Sequence, residues 1–203
     1  MKSVLVSIKP KWCELIASGK KTIEVRKTQP RLNTPFKVYI YCTQGKPTLG
    51  RYLENNSLKA TPETDFDHYN RNTLFRANGK VIGEFVCDEI TGGFWIAPFS
   101  DYLQRQSCLS YDEVCDYANG KPIFAWHISN LVIYDKPREL SEFVVEGDCL
   151  NGDCKKCKWF DGGNNYNVEA DCLLPYNFNF NKTVKPLFRP PQSWCYVESE
   201  VLE

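Results

Sequence analysis

The sequence predicts an α+β fold: a small β-barrel with flanking short helices, followed by an irregular C-terminal segment ordered by zinc. Three observations carry this expectation. Short apolar or alternating runs recur at Val4 to Ile8, Thr22 to Arg26, Phe36 to Thr43, Lys80 to Ile90 and Phe124 to Tyr134, and read as strands. Helix punctuation occurs around Pro10 and again around Ser110. Beyond Leu140 the periodicity stops, and cysteines and glycines gather instead. With 203 residues the chain is long enough to bury a core. It divides into a main domain over 1–140 and a cysteine-rich extension over 141–203 that docks back on the barrel.

Taken in order, Val4 to Ile8 is a first strand that runs into a short helix. Pro10 suits the first helical turn, where its missing N–H has no intrahelical partner, and Trp12, Leu15 and Ile16 give one apolar stripe. Gly19 stands where a left-handed C-cap is wanted. Thr22, Glu24 and Arg26 then alternate with Ile23 and Val25, so a carboxylate and a guanidinium share one strand face while the other can enter a core. Lys21 marks the strand entrance, its facing not fixed by the pattern. In Phe36 to Thr43, Val38, Ile40 and Cys42 oppose Tyr39, Tyr41 and Thr43, and both faces read as partly buried, as barrel strands are.

Gln44 to Gly79 is polar and rich in Asn and Pro, and reads as a long excursion with at most weak structure. Lys80 to Ile90 returns to a strand. It carries Glu84 between apolar neighbours, a second carboxylate candidate. Ser110 and Glu113 form a capping box that starts a helix running to about Tyr117 and stopped by Gly120. Phe124 to Tyr134 supplies one or two strands, and Arg189 to Val197 an extended segment that docks through its aromatics.

Lys plus Arg equals Asp plus Glu at 25 each, so no bulk positive charge announces a long duplex. The charge is local instead: Lys9, Lys11, Lys20, Lys21, Arg26 and Lys27 crowd the N-terminal stretch. With Trp12, Tyr39 and Tyr41 they offer phosphate contacts and stacking faces for a short ligand. No apolar run reaches the length of a membrane span, and the expectation is a soluble cytoplasmic protein with no membrane partner. The sequence names no protein partner.

The spacing Gly19-x-Lys21-x-x-Glu24-x-Arg26, behind the strand and helix carrying Ser7 to Trp12, resembles the ASCH (activating signal cointegrator homology) domain. Phe124 to Ile128 and Leu131 to Pro137 look like that family's closing strands. The resemblance implies the PUA-like superfold and a cleft lined by the motif Lys and Glu. It also implies an RNA, nucleotide or modified-nucleoside ligand, because members have been linked to RNA binding, RNA cleavage and deacylation of acetylated cytidine. The ligand-binding set is then Lys9, Trp12, Lys21, Glu24, Arg26, Tyr41, Glu84 and His127. The deacylating members carry a Thr where this chain has Glu24, so a binding module is the first expectation. A hydrolase on RNA or a modified nucleoside is the alternative, with Lys21 as base or oxyanion partner and Glu24 orienting it or a water.

Of the ten cysteines, Cys149, Cys154, Cys157 and Cys172 stand at intervals that let four thiolates converge on a structural zinc ion. Cys195 and His127 are substitute ligands. Such a segment would order through metal binding, and a zinc-held scaffold that recruits a partner is the third reading. Cys13, Cys42, Cys87, Cys108 and Cys115 fall in strand or helix patterns and read as buried small hydrophobes.

Overall fold

The computed structural model describes residues 2–68, 70–94, 101–146 and 184–198. The strands are β1 (Lys2–Ile8), β2 (Ile23–Arg26), β3 (Phe36–Cys42), β4 (Leu49–Tyr52), β5 (Ser57–Ala60), β6 (Leu74–Arg76), β7 (Val81–Cys87), β8 (Ile90–Phe94), β9 (Ile123–His127), β10 (Ser129–Arg138), β11 (Val144–Glu146), β12 (Val184–Pro186) and β13 (Trp194–Glu198). They form a large seven-stranded sheet in the order β10-β7-β3-β1-β13-β11-β12, faced by a small three-stranded sheet β2-β9-β8 and joined by a third sheet β5-β4-β6. Among the described residues four α-helices accompany them, α1 (Pro10–Ala17), the single turn α2 (Asp65–His68), α3 (Asp101–Ser107) and α4 (Tyr111–Ala118), with a 3-10 turn at Leu140–Glu142. Among the described residues no helix is long and apolar enough to cross a membrane.

The fold is α+β, but the expected barrel is not closed. Among the described residues two open sheets face each other instead, since β2 and β8 are edges of their own sheet. Between them lies the main core, built from Val4, Val6 and Ile8 of β1, Val38 and Ile40 of β3, Phe85 of β7 and Trp126 of β9, with Cys13 and Ile16 of α1. The outer face of the small sheet carries Ile23, Val25, Ile123 and Ala125, which α3 and α4 cover with Leu103, Val114 and Ala118. The opposite face of the large sheet buries Leu5, Tyr39, Tyr41, Val81 and Val197 against Leu140 and Phe143. Both faces of β3 are therefore covered, as its two-sided apolar pattern requires.

Local chemistry explains the helix ends. Pro10 starts α1, and Gly19 takes the left-handed φ of 73° that stops it. In α4 the Ser110–Glu113 capping box forms in both directions, and Asn119 (φ 47°) and Gly120 (φ 70°) both take the left-handed conformation that ends the helix. Gly83 is needed for closeness, because a Cβ there would stand 2.3 Å from the backbone oxygen of Val132 on β10.

Three sequence expectations change. Residues 44–79 are not weakly structured: β4, β5 and β6 form a sheet held to β10 by Arg51, which donates to the Tyr134 carbonyl (2.9 Å) and Asp135 (3.2 Å). The segment beyond 140 supplies β11, β12 and β13 to the large sheet, β13 pairing directly with β1 from Lys2–Glu198 to Val6–Trp194. Cys13, Cys42 and Cys87 are buried, whereas Cys108 and Cys115 are half-exposed. Cys149, Cys154, Cys157 and Cys172 lie outside the described residues. Among the described residues no cluster of three metal-ligating side chains occurs, and the substitute ligands are engaged otherwise. Cys195 packs against the Leu5 side of the sheet, and His127 bonds Asp88.

Candidate functional site

The motif strand places its charged side chains inward. In the β2–β9 ladder Glu24 stands opposite Trp126 and Arg26 opposite Phe124, so both share the face that looks at the large sheet. The alternating partners Ile23 and Val25 anchor the strand against α3 and α4. Register and amphipathic packing thus force a carboxylate and a guanidinium into the space between two sheets.

There they meet Lys21. Its Nζ lies 3.4 Å from Glu24 Oε2, and Arg26 Nη2 lies 3.0 Å from Glu24 Oε1; the three side chains are 2%, 7% and 9% exposed. Backbone oxygens complete each cation's shell. Lys21 Nζ donates to the Ser107 carbonyl at 2.7 Å, and Arg26 Nη2 to the Ser7 carbonyl at 2.6 Å. The Lys20–Thr22 segment is fixed further by Gln106, whose carbonyl accepts the Thr22 N–H at 2.9 Å, and by the Cys108 thiol on the Lys20 carbonyl at 3.3 Å. The expected open cleft is therefore a nearly buried floor closed on one side by the end of α3.

Several polar atoms at this floor have no hydrogen-bond partner: Glu24 Oε2, Arg26 Nε, Trp126 Nε1 and Thr22 Oγ1. Unpaired buried polar groups are uncommon in folded proteins and mark sites where something else supplies the partner. The wall is aromatic. Half-buried Trp12 lies beside the floor, its ring centroid 5.3 Å from Lys21 Nζ and 4.3 Å from Lys11 Nζ. Tyr117 of α4 contacts the Arg26 guanidinium, and burial raises its phenol pKa against the opposing pull of that cation. Beneath, burial pushes the Cys13 thiol well above its ordinary range; neighbouring Cys42 and the Glu24 carboxylate add to this, and Arg26 opposes it.

The remaining candidates separate from this floor. Lys9 is the exposed cap residue of α1. Tyr41 belongs to the Leu5 side of the large sheet. Glu84 pairs with Tyr39 across β3–β7, on that same far side, where Lys37 Nζ (2.8 Å) and the Tyr134 hydroxyl (2.6 Å) hold it. His127 is cross-strand from Ile23, hence on the outer face of the small sheet, and its Nδ1 lies 2.6 Å from Asp88 Oδ1. Lys21, Glu24, Arg26 and Trp12 are brought together; Tyr41, Glu84 and His127 are not. Trp126, Thr22, Ser107 and Tyr117 join the site unannounced. Only Trp126 and Thr22 had a signal, their strand register with Glu24. A cavity of about 480 Å³ lies elsewhere, between the C-terminal strands, lined by Lys2, Val145, Leu187, Cys195, Tyr196 and Val197. It holds none of the motif residues.

Residues 6–138 match the family model of the ASCH domain. Among solved structures, ASCH from Zymomonas mobilis is similar at 22% identity over 68% of this chain and 73% of that one, with a TM-score of 0.46. A Tyr-to-Phe mutant of that protein aligns at 20% identity over 69% and 77%, also at 0.46. No curated relative matches the sequence.

Proposed function

The chain belongs to the ASCH domain family, PUA-like and generally RNA-associated, and from that premise we propose that it binds RNA, a nucleotide or a modified nucleoside over the Lys21–Glu24–Arg26 floor. What supports this reading is the buried charged floor, where two cations share one carboxylate and Arg26 Nε has no hydrogen-bond partner. A purely structural ion network gains most when every donor and acceptor is matched. Trp12 supplies a ring on which a base stacks beside the Lys21 ammonium. Lys20 and Lys27 beside the floor raise the local potential without a bulk charge excess.

The test is mass spectrometry of a pool of short RNAs, nucleotides and modified nucleosides incubated with the wild type and with Lys21→Ala. Retention of a ligand by the wild type and its loss in a folded Lys21→Ala chain is the expected result. New products formed by the wild type alone would convert the binder into a hydrolase acting at the same floor. No retained ligand and no product would remove both.

A further inference from the structure

The floor carries two cations against one carboxylate. Lys21 and Arg26 share Glu24, and no second acidic side chain pairs with either among the described residues. The other ionisable groups nearby do not correct the imbalance. Cys13 from α1 and Tyr117 from α4 face the floor as neutral groups at pH 7. Glu113 is engaged by Lys11 at 3.5 Å and by its own helix cap, and Glu14 accepts the Ala60 N–H of β5 at 3.3 Å. Lys27 over the Tyr117 ring adds positive charge at the rim. One positive charge is thus left uncompensated where water is largely excluded, an unfavourable state that an anion relieves.

The unpaired atoms point the same way. Arg26 Nε and Trp126 Nε1 can only donate, Thr22 Oγ1 can do either, and the acceptor Glu24 Oε2 already faces Lys21 at 3.4 Å. A group rich in acceptor oxygens fits; a neutral base edge with its own donors fits less well. Resting on the reading of this site as a nucleotide or RNA site, we propose that the group seated on Lys21 and Arg26 is a terminal phosphomonoester, of a free nucleotide or of a strand end. A terminus is favoured over an internal phosphodiester because the Lys21 and Arg26 side chains are only 2% and 9% exposed, which leaves little room for a strand to pass over both. The monoester also carries more charge, about −1.5 to −2 at pH 7. Trp12, 5.3 Å from the ammonium, is within reach of the same nucleotide's base.

Calorimetric titration of the full chain decides. The probes are the four ribonucleosides, their 5′-monophosphates, inorganic phosphate, and a short oligoribonucleotide with a 5′-phosphate or a 5′-hydroxyl. Each monophosphate is expected to bind about tenfold or more tightly than its nucleoside, with the advantage shrinking as salt rises. A phosphate-dependent gain on the oligoribonucleotide identifies strand ends as the source; a gain confined to mononucleotides identifies free nucleotides. Glu24→Gln, folded by circular dichroism, is expected to bind the monophosphates more tightly, because it removes the one competing anion. Nucleosides that bind as tightly as their monophosphates, or a Glu24→Gln chain that loses monophosphate binding, overturn the proposal while leaving a ligand site at the floor. If no probe binds, the reading of the site falls and the proposal with it. Should Glu24→Gln not fold, the wild-type ratio of monophosphate to nucleoside decides alone.

Discussion

Glu24 and Trp126 face each other across the β2–β9 ladder, and each has a buried polar atom that makes no hydrogen bond. The indole packs the main core, and its buried Nε1–H has no hydrogen-bond partner. One cross-strand pair therefore ties the hydrophobic core to the charged site.

Breaking the buried triad costs stability. Arg26→Met leaves the Ser7 carbonyl without its donor and Glu24 with Lys21 alone. Denaturant unfolding is expected to lose about 3–5 kcal/mol. A loss below about 1 kcal/mol would mean that water reaches the triad freely.

The far face of the large sheet has its own pH signature. Burial pushes the Glu84 carboxyl up, but the hydrogen bonds from Lys37 and Tyr134 outweigh it and hold its pKa below the ordinary 4.5. Stability from Glu84 is thus present above the ordinary carboxylate range and lost as pH falls through its depressed folded value. The hydrogen bond to Glu84 raises the Lys37 pKa above 10.5, outweighing its partial burial, so that contribution is present at lower pH and lost as pH rises through the raised value. Unfolding curves of Lys37→Met are expected to flatten both limbs, the buried and half-buried tyrosines and cysteines with raised pKa values keeping part of the alkaline one. Unchanged profiles would refute the pairing.

Gly83→Ala is expected to destabilise by about 1–3 kcal/mol, since the new Cβ meets Val132 backbone oxygen at 2.3 Å and Ile133 Cα at 3.1 Å. Neither atom belongs to a flexible side-chain tip. A neutral effect in thermal unfolding would show that β10 is free to move away from β7.

The family match ends at residue 138, but the fold does not. Trp194 packs tilted against Trp126 with ring centroids 6.1 Å apart and donates to Thr28 at 2.9 Å, and β13 pairs five residues of β1. A chain cut after residue 140 would expose Leu5 and the β1 edge, and is expected to unfold at lower temperature and aggregate. Equal melting temperatures for the cut and full chains would contradict this.

What the sequence made legible was local. Pro10, Gly19 and the Ser110–Glu113 box each act within one helical turn, and the alternation at Ile23 and Val25 needs only the pleat of its own strand. The sheet at 44–79 was hidden because its strands are short, and Gly50 and Thr61 matter only once β4 and β5 approach each other across the turn. Glu84 and Tyr41 read correctly as strand residues, yet which of two buried faces they occupy depends on what covers each side. The partnership of Lys21 with Ser107 joins residues 86 positions apart through α3, which carried no strong sequence punctuation. The strand β13 was legible as an extended, aromatic-rich segment, but its pairing with β1 was not.

The cysteine spacing still makes a chemical prediction. Cys149, Cys154, Cys157 and Cys172 are expected to hold one zinc per chain, and elemental analysis of purified protein with thiol titration checks it. All thiols free with no stoichiometric metal would end the zinc proposal.

The central claim is that the Lys21–Glu24–Arg26 floor is where the ligand sits, and NMR of the side-chain N–H groups tests it most directly. With the tightest ligand from the pool, the indole Nε1–H of Trp126 and the Nε–H of Arg26 are expected to shift at saturation, together with that of Trp12. Shifts confined to the C-terminal cavity around Cys195 and Tyr196, with Trp126 and Arg26 unmoved, would contradict the account.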